Sequence, residues 1–227
     1  MTINRPASPF WRFCYENSLV LVVTSLVLLT LVGQFATGWH EYNDELKEMG
    51  LAELSAGQYF RSGHFLEATF ENWESEFLQM GLDVLLTVWL RQKGSSESKK
   101  LYEEEAVDAE PDPHKPDAPG PVRRGGWVLA VYQNSLSLAF FFLFVISVWL
   151  HARGGAEVFS IEQVHAGKQP VGTLEYLATS RFWFESLQNW QSEFLSIVSI
   201  VGLSIFLRQK GSPESKPVDA SHAETGK

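Results

Sequence analysis

Polar side chains recur at helical spacing in a stretch of the chain that is otherwise apolar. Asn72, Glu76, Gln79 and Asp83 follow one another in steps of three or four residues, which places them on one face of a helix. A carboxylate inside a bilayer is expensive and usually faces a protein interior or water. This polar stripe therefore predicts either a site that titrates protons or lines an ion path, or hydrogen bonds that hold helices together.

A second copy of this face lies further along the chain and is less polar. It carries Asn189 and Glu193, but Ile200 stands where Asp83 stands in the first copy. Asp83 therefore has no counterpart, and the two copies have diverged at that position. Among the stripe residues, Asp83 is the first to test for a function.

Other residues that could do chemistry are scattered along the sequence. His64 and Glu67 share a helical face, which is a weak signal for a metal site, and His151 begins a later polar segment. A membrane-embedded enzyme would need these three residues to converge. The chain has no Gly-rich phosphate loop, Gly-x-Ser-x-Gly elbow or His-Glu-x-x-His motif. We predict no catalytic residue, no cofactor and no bound metal.

The polar stripe begins in a motif that occurs twice. Asn-Trp-Glu-Ser-Glu-Phe-Leu at 72–78 returns as Asn-Trp-Gln-Ser-Glu-Phe-Leu at 189–195, and Leu-Arg-Gln-Lys-Gly-Ser at 90–95 returns at 207–212. Both pairs have the same offset of 117 residues, since 189 − 72 equals 207 − 90. A constant offset over several motifs indicates that one unit has been duplicated.

Four apolar stretches must position these residues. We predict a transmembrane helix over each, at about 17–39, 73–91, 127–150 and 190–208, because each spans most of a bilayer core at about 1.5 Å per residue. The first could instead belong to a cleaved signal peptide, but its copy lies deep in the chain, after Asn134. Short interfacial helices are expected within each unit. The predicted fold class is an all-α membrane protein with four transmembrane helices in two parallel tandem repeats.

Both ends of the second and fourth predicted helices carry residues typical of membrane interfaces. Trp73 and Trp190 are placed as belt aromatics, and Asn72 as the N-cap of the second helix. The opposite ends carry basic side chains that can reach lipid headgroups: Arg91, Lys93, Arg208 and Lys210.

The polar parts of the chain divide it into five segments. We predict a cytoplasmic lead over 1–16, a first membrane repeat over 17–93, an acidic and Pro-rich linker over 94–126, a second repeat over 127–210 and a tail over 211–227. The linker and tail hold few bulky apolar residues, so burial cannot offset the entropy of ordering them. Both are expected to be disordered.

Basic residues predict the orientation. Thirteen of the 18 Lys and Arg residues lie in the lead, the linker and the tail or at the helix ends beside them, which favours cytoplasmic termini and two units that enter the membrane the same way up. The net charge of −9 argues against a nucleic-acid partner. The expected partners are the lipid bilayer and either a second copy of the chain or another membrane protein.

The two motif copies resemble a family of bacterial integral membrane proteins known only as domain of unknown function 6766. The resemblance covers nearly the whole chain apart from the linker and tail. It implies a multi-pass protein of the bacterial inner (plasma) membrane with two similar halves, and it supplies no activity or catalytic residue.

Three functional hypotheses follow. We favour a non-enzymatic structural or interaction protein of the membrane. A small transporter or ion pathway that uses the polar stripe is the alternative, and a membrane-embedded enzyme comes third.

Overall fold

The computed structural model describes residues 8–226, and this part of the chain is helical without a strand. The first half holds α1 (Pro9–Glu16), α2 (Ser18–Glu48), α3 (Ala56–Tyr59) and α4 (Gly63–Trp89). A 3₁₀ turn (Ala106–Asp108) and α5 (Gly120–Arg124) follow. The second half holds α6 (Gly126–Gln133), α7 (Ser135–His165), α8 (Thr173–Tyr176) and α9 (Ser180–Phe206). Residues 1–7 of the predicted lead and residue 227 of the tail lie outside the described part.

Each helix of the first half has a counterpart of equal length in the second half. The pairs are α1 and α6 with 8 residues, α2 and α7 with 31, α3 and α8 with 4, and α4 and α9 with 27. Ser18 and Ser135, which begin the two longest helices, are 117 residues apart (135 − 18). The helix pattern therefore follows the offset of the sequence motifs.

The predicted helix boundaries were wrong where the sequence turns polar. The first long helix continues to Glu48 instead of 39, and α4 begins at Gly63 instead of 73. Ser62 caps α4 by accepting a hydrogen bond from the Phe65 N–H, so Asn72 is an interior residue and not the N-cap. In the second half α7 extends to His165 and α9 begins at Ser180. These polar turns stay helical because they pack on one another through one face.

The central contact pairs α4 with α7 in opposite directions. Gly63, at the start of α4, faces Gly154 near the end of α7, while Gly81 faces Phe140 near its start. A Cβ added at Gly154 would lie 2.6 Å from the Gly63 carbonyl oxygen, which is closer than packed atoms tolerate. Glycine at both positions therefore lets the two backbones touch.

The second helices of the two halves, α4 and α9, run side by side in the same direction. Asn189 Nδ2 donates to Glu71 Oε1 at 2.5 Å, and further along Gln79 Nε2 donates to Ser196 Oγ at 2.7 Å. The two copies of the sequence motif thus meet at one interface.

Two helices, α2 and α7, are long and apolar enough to cross a membrane. The most apolar 18-residue window of α2 has no buried residue, and in α7 the share is 17%. The short helices α3 and α8 lie between the long helices of each half, where interfacial helices were predicted; their depth relative to a bilayer stays a prediction.

The segment after α4 contacts the C-terminal tail. Ser95 Oγ lies 2.9 Å from Ser204 Oγ, and the Lys216 ammonium donates to the Gly94 and Glu224 carbonyl oxygens at 2.5 and 2.8 Å. The division into five segments, with a disordered linker and tail, stays a prediction.

Candidate functional site

A largely buried group of ionisable side chains lies where α4, α7, α8 and α9 meet. We call it the Glu–His cluster, and its members are Glu67, Glu74, His151, Tyr176, Arg181 and Glu185. His151 and Glu74 are each 0% exposed. Since charged groups are rarely buried without a partner, the contacts of each member decide what the cluster can do.

The backbone around the cluster is shaped by a glycine and a tyrosine. Tyr176, the last residue of α8, is 0% exposed and lies against Gly155 of α7. A Cβ at Gly155 would be 2.6 Å from the Tyr176 hydroxyl oxygen. The absence of a side chain at Gly155 therefore lets the tyrosine ring reach α7 and brings its hydroxyl into the cluster.

His151 contacts a carboxylate through each ring nitrogen. Its Nδ1 lies 3.1 Å from Glu74 Oε2, and its Nε2 lies 3.4 Å from Glu185 Oε2. The other oxygen of Glu74 accepts a hydrogen bond from Trp190 Nε1 at 3.3 Å. Glu74 thus orients the imidazole from behind, and Nε2 points toward Glu185.

The Tyr176 hydroxyl lies between two carboxyl groups, 2.6 Å from Glu185 Oε2 and 3.2 Å from Glu67 Oε1. A hydroxyl has one hydrogen to donate, and the shorter contact takes it to Glu185. A protonated Glu67 can then donate to the hydroxyl oxygen. Burial, followed by the nearby charge of Glu185, raises the pKa of Glu67 to about 7. The cluster therefore holds a carboxyl group that exchanges its proton near neutral pH.

The same contacts keep Glu185 ionised. Arg181 Nε donates to Glu185 Oε1 at 2.9 Å, and its Nη1 donates to Glu162 Oε2 at 2.5 Å. Hydrogen bonds from His151, Tyr176 and Arg181 outweigh burial and lower the pKa of Glu185. The pKa values of the two carboxyl groups that one hydroxyl bridges are thus shifted in opposite directions.

A cavity of about 220 Å³ lies against Glu67 and Glu185. It is lined mainly by ionisable side chains, namely Glu45, His64, Glu67, Glu71, Glu162, Arg181 and Glu185. Burial lowers the pKa of His64, which favours its neutral form. Because five carboxyl groups line this cavity, its electrostatic potential favours a cation over an anion.

Three members of the cluster offer ligand atoms for a metal ion. One atom each from Glu67, His151 and Glu185 lies within 4.8 Å of the other two. Of the three residues that an enzyme would need to bring together, Glu67 and His151 do meet. His64 lines the adjoining cavity, with its Nδ1 3.1 Å from the Tyr59 hydroxyl.

The polar stripe on α4 divides into contacts of different kinds. Asn72 and Glu76 are exposed, and the Asn72 side chain donates to the Ala68 carbonyl oxygen. Gln79 bonds to α9 through Ser196 and through the Glu193 carbonyl oxygen. Gln79 thus makes the helix-to-helix hydrogen bond of the structural interpretation.

Asp83 lies away from the Glu–His cluster. It lines a separate cavity of about 610 Å³ between the end of α4 and the segment after it, together with Thr87, Glu97, Lys99 and Asp108. The structure therefore does not join Asp83 to the acidic residues that gather around His151.

The predicted interface anchors also differ from one another. Trp73 is 37% exposed, whereas Trp190 is half-buried and bonded to Glu74. The helices end at Trp89 and Phe206, so the basic residues follow the helices and do not belong to the last turns: Arg91, Lys93, Arg208 and Lys210. Their role in anchoring stays a prediction.

Sequence reasoning missed Glu74, Tyr176, Arg181 and Glu185 as members of one site. A usable signal was the position at which the duplicated motif differs, since Glu74 is replaced by Gln191 in the second copy. Glu185 likewise corresponds to Ala68 at the same offset. The differences between the copies mark this site better than their identities do.

Comparison with known proteins supplies a family but no activity. Neither a curated protein nor a solved structure matches the chain. The profile of one family matches residues 10–227, which is nearly the whole chain. The chain therefore belongs to the family described as Domain of unknown function (DUF6766).

Proposed function

We propose that this is an integral inner-membrane protein of non-enzymatic binding or interaction type, built from two tandem units with four membrane-crossing helices. Its functional part is the Glu–His cluster, which binds a small cation at the outer boundary of the membrane. The apolar helices hold this site in place.

Support for the membrane location comes from α2. No residue of its most apolar 18-residue window is buried by the rest of the chain. Leu19, Val20 and Leu29 are 76, 67 and 68% exposed. An uncovered apolar face of this length is unfavourable in water and suits lipid or the helix of a partner.

One observation carries the functional proposal: the two halves build the same glycine–tyrosine contact, and only the second half surrounds it with His151 and Glu185. The first half builds the same glycine–tyrosine contact, between Gly38 and Tyr59, yet it has Gln34 where the second half has His151 and Ala68 where it has Glu185. Buried charges are often no better for stability than apolar residues of similar size. The charged residues that the second half adds to the shared scaffold, His151 and Glu185, are therefore better accounted for by binding than by folding.

The topology can be tested by labelling single cysteines in a Cys14→Ser background. Ser55→Cys lies between the long helices of the first half, and Glu110→Cys lies in the linker. Labelling of intact cells by an impermeant reagent is expected at Ser55→Cys and not at Glu110→Cys. The opposite labelling pattern would mean that the protein has the reverse orientation in the membrane. Release of the chain from membranes by alkaline carbonate would exclude membrane crossing.

The binding function can be tested by native mass spectrometry in mild detergent. The matched control carries the residues of the other half: His151→Gln, Glu185→Ala and Glu74→Gln together. The wild-type protein is expected to retain a small ligand or ion that this triple variant lacks. Identical spectra, with both folded, would exclude binding at the cluster.

A proton pathway is a second candidate, favoured by the contact chain from Glu67 through the Tyr176 hydroxyl to Glu185. It predicts a pH-dependent flux in reconstituted vesicles that Glu67→Gln abolishes. If the polar stripe were the path, Asp83→Asn or Glu76→Gln would abolish it instead. A flux unchanged in all three variants would exclude both paths.

A further inference from the structure

Building on the binding function proposed above, we propose that the Glu–His cluster is a site for a divalent transition-metal ion. Glu67, His151 Nε2 and Glu185 are its protein ligands. Glu74 is a positioning residue that orients His151.

The donor set favours a transition metal over a hard cation. One imidazole nitrogen and two carboxylate oxygens suit Zn²⁺ or Mn²⁺, whereas Mg²⁺ and Ca²⁺ take oxygen ligands. The three donor atoms already lie within 4.8 Å of one another. Movements of about 1 Å would bring each of them to the roughly 2.0–2.2 Å at which zinc is bound.

The contacts of His151 match those of a metal ligand. A ligating histidine almost always donates its second N–H to a carboxylate or a carbonyl group, which sets the tautomer and the ring direction. Glu74 Oε2 lies 3.1 Å from His151 Nδ1, and both side chains are fully buried. With Nδ1 held by Glu74, Nε2 is directed at Glu185, and a bound ion would take the place of the hydrogen that Nε2 shares with this carboxylate.

The surroundings allow an ion to enter and keep the site compact. Glu67 and Glu185 border the acidic cavity of about 220 Å³, through which a cation can approach. Arg181 Nε takes one oxygen of Glu185 and leaves Oε2 directed at His151. Tyr176 contacts both carboxyl groups and fixes their positions relative to each other.

The experiment uses the full chain in detergent, stripped with EDTA and titrated with Zn²⁺, Mn²⁺ and Mg²⁺. Wild-type protein is expected to bind a single Zn²⁺ or Mn²⁺ and to gain thermal stability with it, and to ignore Mg²⁺. Glu67→Gln removes a ligand while keeping its volume and should abolish binding. Glu74→Gln should weaken binding by about 10- to 100-fold.

The control variants are Glu71→Gln and His64→Gln. Both residues line the same cavity without belonging to the donor set, so each change should weaken binding far less than Glu67→Gln does. Absence of saturable Zn²⁺ and Mn²⁺ binding in the wild type would overturn the proposal, as would equal losses in Glu67→Gln and Glu71→Gln. If native mass spectrometry shows an organic cation and no metal, the metal-site proposal is wrong and the proposed binding function stands. If the protein retains no ligand and binds no added metal, both proposals are wrong.

Discussion

The two halves of the molecule share a scaffold and differ in the chemistry placed on it. In the first half Tyr59 lies against Gly38, and its hydroxyl is 3.1 Å from the imidazole of His64. In the second half Tyr176 lies against Gly155, and its hydroxyl contacts the carboxyl groups of Glu185 and Glu67. The same tyrosine position thus serves a neutral contact in one half and a charged network in the other.

The shared part extends to contacts made by different residue types. Asn43 bonds to both the backbone N–H and C=O of Leu54, at 2.7 and 3.0 Å. At the same offset Ser160 bonds to both backbone groups of Val171, each at 3.0 Å. Both side chains tie the long helix to the loop after it. The comparison teaches that the halves preserve backbone geometry and concentrate their ionisable groups at the junction of α4, α7 and α9.

The largest effect should come from the α4–α7 contact, which has no equivalent in the first half. Gly154→Val would drive side-chain atoms into the Gly63 carbonyl and the Glu67 backbone. Overpacking of a core costs about 1–3 kcal/mol where neighbouring side chains can shift. Here the blocking atoms are backbone, so the cost should exceed the roughly 5 kcal/mol at most of breaking a buried ion pair. We expect little recovery of monodisperse protein by size-exclusion chromatography. The matched control is Thr37→Val, at the same register of α2, where the side chain is exposed. Equal behaviour of the two variants would contradict the close contact.

The next largest effect should come from exchanging His151 for its counterpart. His151→Gln leaves Glu74 fully buried without its imidazole partner, which costs about 3–5 kcal/mol when a buried ion pair is broken. Thermal unfolding should show a clear loss, while the reverse exchange, Gln34→His on α2, should change little. The triple variant that also carries Glu74→Gln and Glu185→Ala should recover part of the loss, because it removes the uncompensated charges. No recovery would mean that the fold does need the cluster.

A smaller effect concerns pH and the raised pKa of Glu67. Its folded-state pKa of about 7 lies above the ordinary value of 4.5, so the folded protein takes up the proton more readily. The contribution of Glu67 to the free energy of unfolding is then most favourable below about pH 4.5 and declines as the pH rises to 7. At about 1.4 kcal/mol per pKa unit, the total decline is roughly 3 kcal/mol at most. The groups facing it are His151, Tyr176, Arg181 and Glu185.

Unfolding temperatures at pH 5 and pH 8, without added metal, check this sign. Glu67→Gln should stabilise the protein at pH 8 and change it little at pH 5. The control Glu71→Gln removes a carboxyl group that bonds to Asn189 and lies outside the donor set. If Glu67→Gln destabilised the protein equally at both pH values, Glu67 would be ionised throughout.

Much of the helical pattern could be predicted from the sequence, because apolar runs and the constant offset are local signals. The duplicated motifs place α4 and α9 at equivalent positions, and these helices have equal lengths. The predicted helix boundaries were wrong where polar turns, such as residues 63–72, continue the helix. Those turns are helical because one face is buried against α7. Local sequence patterns do not reveal this tertiary contact.

The site could not be predicted because its members are distant in sequence. Glu67, His151 and Glu185 meet only through the packing of α4 from the first half on α7 and α9 from the second. Glu74 lies inside α4 and is fully buried, and its position in the duplicated motif does not indicate that burial. Helical spacing alone was enough to single out Asp83 in the polar stripe. The meeting of Glu67, His151 and Glu185 depends on tertiary contacts, which spacing does not show.

The smallest effect, and the most direct test of the comparison, is to remove each tyrosine hydroxyl. Tyr59→Phe loses one hydrogen bond between neutral groups, worth about 0.5–1.5 kcal/mol, and Tyr176→Phe loses a bond to a charged carboxylate, worth about 1.5–3 kcal/mol. Tyr176→Phe should therefore lower the unfolding free energy by about 1 kcal/mol more. Because the lost hydroxyl also separates Glu67 from Glu185, adding Glu67→Gln should relieve part of the Tyr176→Phe loss and none of the Tyr59→Phe loss. This double-mutant cycle separates the contribution of the charged network from that of the shared scaffold. Equal coupling energies of Glu67 with Tyr59 and with Tyr176 would mean that the two tyrosines have the same role and that the difference between the halves lies elsewhere.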